Sequence, residues 1–241
     1  QLVAEDVLSA GFTPEELADL VSPGNQDILV DDAIPVVAEH PISRTGDLWV
    51  LGSHRLLCGD STSREDVRRA MNGMKARLFA TDPPYQVEYD GTHRPGRKDW
   101  SETYGVTWND DDSKSELYPK FIAAAQAEAI TDGTAWYCWH ASSRYPHLES
   151  TWIAAGILPH CQIIWAKNMP VAGYGWYMWQ HEPCLMGWKK GCKPARMPNQ
   201  GMLSTLWEVD AVPMGDDRPN HPTPKPLELF AIPMRQHTRE T

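Results

Sequence analysis

The chain has 241 residues and a net charge of −10, and no stretch approaches the ~18–20 consecutive apolar residues that span a bilayer. The acidic start, Gln1-Leu2-Val3-Ala4-Glu5-Asp6, lacks a basic run leading into an apolar one and so excludes a secretory signal. Five cysteines, odd in number and without a Cys-x-x-Cys pair, favour free thiols in a reducing cytoplasm over disulfides or a zinc site. His140 and His147 make no ligand spacing with them and read as structural or surface histidines, so no metal is expected.

The charge is unevenly spread. Residues 1–50 carry ten acidic side chains and one basic one, which leaves the other 191 residues near neutrality at −1. Between Glu182 and Glu208 there is no acid, while Lys189, Lys190, Lys193 and Arg196 are all basic. A second basic cluster holds Arg94, Arg97 and Lys98. Local patches of this kind decide phosphate contacts, so a polyanion partner is compatible with the acidic total; read singly, each is equally a solvated loop.

In chain order, Thr13-Pro14-Glu15-Glu16 is a capping box with proline in the first turn, and predicts a helix to about Leu20. Residues 21–45 read as a proline-bearing linker, so 1–45 is expected to be an acidic N-terminal segment. Asp47–Leu51 and His54–Cys58 are two strands across a Gly52-Ser53 turn, a hairpin. Ser63 with Asp66 starts a helix ending near Gly73. Ala76-Arg77-Leu78-Phe79-Ala80 is a short apolar strand running into Thr81-Asp82-Pro83-Pro84-Tyr85, a proline-fixed turn. Residues 86–114 form a long polar and aromatic loop, the kind usually functional or disordered. Ser113 with Glu116 caps a helix with Leu117, Phe121, Ile122 and Ala125 on one face. Strands at 134–139 and 161–166 flank a helix at about 143–155, and this alternation predicts a parallel α/β sheet. From 169 to 216 the pattern breaks, with recurring Gly and Pro and crowded tryptophans; this region and the loop at 86–114 are both expected to be mobile.

The Asp-Pro-Pro-Tyr turn would place a carboxylate, a rigid carbonyl and an aromatic ring at a sheet's carboxyl edge, where open α/β sheets bind ligands. It resembles the catalytic motif of the amino-group DNA methyltransferases. That resemblance implies a Rossmann-like sheet, S-adenosylmethionine as cofactor, and double-stranded DNA as partner, with methylation of adenine N6 or cytosine N4. The amino nitrogen is a poor nucleophile because its lone pair is delocalised into the ring. Asp82 and the Pro83 carbonyl would accept its hydrogens, and Tyr85, following Pro84, would stack on a flipped base. Asp at the first position favours adenine. A cytosine-N4 enzyme and a non-catalytic DNA-binding subunit are the alternatives.

Two further segments extend the resemblance. His221-Pro222-Thr223-Pro224-Lys225-Pro226 matches a His-Pro-Thr-x-Lys-Pro at a helix mouth, which implies that His221, Thr223 and Lys225 hold the cofactor's carboxylate; a helix N-terminus with a lysine is an anion site in any case. Gly59-Asp60-Ser61 matches the wall of the cofactor pocket, although by itself it is also an ordinary strand-to-helix turn with Asp60 as a cap. The motif order resembles the permuted class, most closely phage and prophage enzymes that follow a ParB-like domain, as do Gly46–Asp60 and Gln180-His181-Glu182-Pro183. It implies a bacterial or phage origin and a catalytic half at 46–168. A target-recognition region at 169–216 would follow, then the start of the cofactor half at 217–241. Such enzymes continue into a strand and a Phe-x-Gly-x-Gly loop that this chain does not reach, and Gly173-Tyr174-Gly175 is no substitute. The sheet is therefore expected to be incomplete as given, with an exposed edge on the strand before Asp82. The chain would be a fragment, a degenerate relative, or one that relies on a second copy or another chain for the loop.

Overall fold

The computed structural model describes residues 42–85, 87, 116–171, 176–198, 200–212 and 224–239. The chain divides into two compact units. One comprises Gln1–Val37 and Met214–Asn220 and lies outside the described residues, as do the helix expected at 13–20, most of the linker and the loop at 88–115. Every element named below belongs to the other unit.

The hairpin forms as the sequence predicts, with β1 at Leu48–Leu51 and β2 at His54–Leu57 paired from Leu48↔Leu57 to Leu51↔His54. Gly52 opens the two-residue turn at φ +62°, a conformation that favours glycine there. Helix α1, Arg64–Met71, is capped by Ser63, whose side chain accepts from the Asp66 amide. Asp66 does not return the bond to Ser63; its carboxylate takes the Asp60 amide instead, at 2.9 Å. Strand β3 is Ala76–Thr81 and helix α2 is Leu117–Glu128.

Strand β4, Ile130–Trp139, is followed by a short 3-10 turn, helix α3 at Tyr145–Ala154 and strand β5 at Ile157–Val171. The parallel sheet expected from that alternation is corrected. Strands β4 and β5 run the same way but do not touch, because β6, Trp179–Lys189, lies between them antiparallel to both. The broken pattern after residue 169 thus contains an eleven-residue strand at the middle of the sheet. A short β7, Leu206–Glu208, pairs parallel with β5, and the sheet order is β3-β4-β6-β5-β7. Helix α4, Glu228–His237, closes the described chain. Among the described residues β3 pairs with β4 alone, so its other edge carries no strand.

Both faces of the sheet are covered. The last six residues of β4 are all buried, as a strand between two layers requires. Trp136 and Cys138 pack on one side with Tyr118, Phe121 and Ile122 of α2 and Leu148 and Trp152 of α3. Ala135, Tyr137 and Trp139 pack on the other with Trp165, Trp207 and Leu229. No helix among the described residues is long and apolar enough to cross a membrane.

Two histidines are built into these layers, and burial holds both imidazoles below their ordinary pKa against backbone carbonyls that favour the charged ring. His237 is 3.0 Å from the Tyr137 hydroxyl and 3.1 Å from the Ala195 carbonyl, and His140 is 2.9 Å from the Ala141 carbonyl. The unfolded rings take up a proton near pH ~6.5, whereas the folded ones resist it. Their contribution to stability is therefore complete above that pH and is lost as the pH falls toward the folded values. The urea midpoint is expected to be lower at pH 5.5 than at pH 7.5, with His237→Gln narrowing the gap; equal midpoints in the parent would refute this.

Candidate active site

Strands β3 and β4 are parallel, with Thr81 level with Cys138, so the residues that follow each emerge at one edge of the sheet. Asp82, Pro83, Pro84 and Tyr85 leave β3 there, and α4 brings Lys225, just ahead of its first turn, to the same place. The turn is fixed from below. The hydroxyl of fully buried Tyr118 donates to the Pro84 carbonyl at 3.2 Å. No hydrogen bond among the described residues reaches the carbonyl of Pro83, which is itself buried.

Lys225 is the centre of the site. Its ammonium lies 2.8 Å from each Asp82 oxygen, 2.7 Å from the Tyr85 hydroxyl and 3.2 Å from Glu182. The three hydrogens of the ammonium go to the two Asp82 oxygens and the Tyr85 hydroxyl, and Glu182 completes the cluster as an ion pair. The same nitrogen stands 5.1 Å from the centre of the Tyr85 ring and 5.5 Å from that of Trp139. The Lys225 side chain is only 7% exposed, so in the absence of a ligand its charge is balanced from within the protein. Asp82 is the open end of the cluster, at 34%.

Two charged members come from the β5–β6 pair. Glu182, opposite Trp165 in the ladder, accepts from Lys167 at 2.6 Å and from the Tyr85 hydroxyl at 3.3 Å. The result is an alternating row, Lys167, Glu182, Lys225, Asp82, which sums to zero. Burial is the largest influence on Glu182 and acts to raise its pKa, but Lys225 and Lys167 together overcome it and hold the carboxyl below its ordinary value. Burial, then the charges of Asp82 and Glu182, push the Tyr85 phenol well above its own, so it remains a donor. The sequence reading missed Glu182 and Lys167 as site members. The available signal was an acid two residues ahead of the apolar run Cys184-Leu185-Met186.

Five of the predicted site residues therefore meet: Asp82, Pro83, Pro84, Tyr85 and Lys225. No hydrogen bond or ion pair among the described residues links Asp60 to them. Its carboxylate accepts from the Thr62 amide and hydroxyl, at 2.8 and 2.7 Å, and so shapes the turn into α1. His221, Thr223, Arg94, Arg97 and Lys98 lie outside the described residues.

The other basic cluster is elsewhere. Strand β6 runs back from the Asp82 edge, with Leu185 level with Cys138, so Lys189 lies four residues further toward the opposite edge, ~13 Å at ~3.3 Å per residue. There Lys189 pairs with Asp132 at 2.7 Å, and Lys193 stands 6.0 Å from the Trp188 ring. The backbone beyond is tied to the far end of α4 through the Met197 amide and the Gln236 carbonyl. Lys189, Lys190, Lys193 and Arg196 are all exposed on that side.

No protein-family model matches the chain and no curated protein matches it. Solved structures do. The crystal structure of the M1.HpyAVI–SAM complex superposes with a TM-score of 0.51 at 20% identity, over 75% of this chain and 74% of that one. The crystal structure of M1.HpyAVI gives 0.50 at 16% identity, over 75% and 73%. At such identities the likeness speaks for architecture alone, and it agrees with the mixed sheet described above: the chain has a Rossmann-like α/β fold.

Proposed function

We propose that this protein is an S-adenosylmethionine-dependent DNA methyltransferase that acts on adenine N6 in duplex DNA. The observation that carries the reading is the meeting of Asp82 and Tyr85 with Lys225, 143 residues from Asp82 in the chain, at the carboxyl edge of β3. The fold and the SAM complex of a structural neighbour support it.

A buried ammonium beside the first turn of α4 suits the carboxylate of an amino-acid-bearing cofactor, and Lys225, with Thr223 and His221, would hold it. When bound, S-adenosylmethionine supplies an activated methyl group. The chain's own residues do the rest. The Asp82 carboxylate and the Pro83 carbonyl each accept one hydrogen of the adenine amino group, which turns the nitrogen lone pair out of the ring plane. Asp82, the charged one of the two acceptors, would take the proton released as the nitrogen is alkylated. The Tyr85 ring lines the base pocket, and its hydroxyl, held by Lys225 and Glu182, fixes the ring plane.

Titration calorimetry with S-adenosylmethionine, followed by transfer of labelled methyl groups to adenine- or cytosine-only duplexes, tests this reading. Binding with label on adenine supports it; label on cytosine selects the N4 chemistry; absence of binding points to a non-catalytic subunit. Lys225→Met is expected to weaken cofactor binding at least tenfold by removing the buried cation.

The phosphate contacts are assigned to Arg94, Arg97 and Lys98, which follow the catalytic turn. Lys189, Lys190, Lys193 and Arg196, exposed toward the other edge of the sheet, are proposed as further phosphate contacts, and neutralising all four is expected to flatten the salt dependence of DNA binding. Removing a side chain that does neutralise a phosphate would flatten the slope of log K against log salt by about 0.9. An unchanged slope in the fourfold variant would show that these charges face solvent.

A further inference from the structure

Lys225 donates to both oxygens of Asp82, and although each oxygen keeps a lone pair, the contact draws carboxylate charge away from an incoming amino group. Any other anion that shares this buried ammonium lessens that draw, and besides the cofactor's carboxylate the protein supplies one of its own. Glu182 lies 3.2 Å from it, on a different strand, and is itself shared with Lys167 at 2.6 Å. We propose that Glu182 is a positioning residue that divides Lys225 with Asp82 and thereby leaves the Asp82 carboxylate freer to accept the substrate's amino hydrogens. The inference rests on the reading of Asp82 as that acceptor, and it gives the β5–β6 pair a part in the chemistry.

The geometry supports division rather than simple ion pairing. Lys225 donates its three hydrogens to the two Asp82 oxygens and the Tyr85 hydroxyl, while Glu182 stands in ion-pair range at 3.2 Å, so the two carboxylates compete for one positive charge. Lys167 sets the balance. By drawing on Glu182 it weakens the hold of Glu182 on Lys225. The Tyr85 hydroxyl reports the same balance, because it accepts from Lys225 and donates to Glu182. Removing Glu182 would leave Asp82 as the one carboxylate of the protein on Lys225, and that pair would tighten.

The test uses the full chain. In Glu182→Gln, the turnover number on an adenine-containing duplex is expected to fall at least tenfold, with the KM for DNA changed less than threefold. Glu182→Asp is expected to recover most of the loss. In a Lys225→Met background the same substitution is expected to change turnover less than twofold, since nothing is left to divide. A readout independent of turnover is the 15N signal of the Lys225 ammonium, identified by its loss in Lys225→Met. Glu182→Gln is expected to shift that signal, and an unmoved signal overturns the proposal whether or not the parent methylates DNA. A parent that never methylates, with the signal shifted, overturns the proposed function while leaving the division of Lys225 standing. Should Glu182→Gln fail to fold, Lys167→Met is the second probe. It is expected to move the same signal and to raise turnover, and a fall or no change in both overturns the proposal.

Discussion

Asp82→Ala is expected to lower single-turnover methyl transfer on the order of 10²–10³-fold, the loss typical of one preorganised polar group at a reacting centre. Affinity for duplex DNA is expected to stay within threefold, or to rise slightly as a negative charge leaves the DNA-facing edge. The fold tolerates the change because Asp82 is the open end of the charge row, and Lys225 retains Glu182 and the Tyr85 hydroxyl. A near-parental melting temperature would accordingly accompany the lost activity. Asp82→Asn separates charge from hydrogen bonding: it keeps one acceptor oxygen but presents an amide donor toward the amino group and is expected to be nearly as inactive. Turnover above a tenth of the parent in Asp82→Ala would remove Asp82 from the chemistry.

The largest effect on stability is expected at Gly187. This glycine pairs with Trp136 on one side and Pro159 on the other, in the strand at the middle of the sheet. A Cβ built there would run into the Leu158 backbone carbonyl and stand 2.9 Å from Cζ3 of Trp152. Backbone in a paired strand cannot withdraw, and Trp152 is fully buried against Trp136, with ring centres 5.9 Å apart. Gly187→Ala is therefore expected to cost about 2–3 kcal/mol, read as a shift in the urea midpoint at constant slope. Gly133, at the exposed start of β4, is the control. A Cβ there meets nothing within 4 Å, so Gly133→Ala is expected to be close to neutral. Equal effects at the two positions would contradict the packing argument.

Much of the fold was legible because local signals agreed with burial. The hairpin followed from its Gly52-Ser53 turn, α1 from the Ser63 cap, and β3 from an apolar run ending in a proline-fixed turn. Strand β6 was not legible, because Pro183 and Gly187 read as breakers. Each is tolerated for a reason that only packing reveals. The Pro183 carbonyl still accepts from the His140 amide, so the ladder loses a donor alone, and Gly187 is demanded by the crowding of Leu158 and Trp152. The insertion of β6 between β4 and β5 is likewise invisible to periodicity, which reports burial and not neighbours.

The site divides in the same way. Asp82, Tyr85 and Lys225 came from motifs, and the meeting of all three from a family resemblance. Glu182 and Lys167 needed the register that sets Trp165 opposite Glu182, which no local pattern encodes. The basic residues at 189–196 were recognised as a cluster, but a one-dimensional reading has no means of telling which edge of a sheet a strand's end will reach.

The reversed strand also has a consequence for how the molecule is assembled. Strands β5 and β6 are consecutive and antiparallel, so they can close on each other early, through pairings of short sequence separation. The row of charges needs far more. Lys167 and Glu182 arrive with that early pair, Asp82 with β3, and Lys225 only when the last helix docks, across a separation of 143 residues. Completing the row therefore reports that the whole unit has folded. A nascent or clipped chain lacking α4 would present Asp82 and Glu182 as two neighbouring carboxylates without their shared cation, and chemical competence would wait on the docking of that helix.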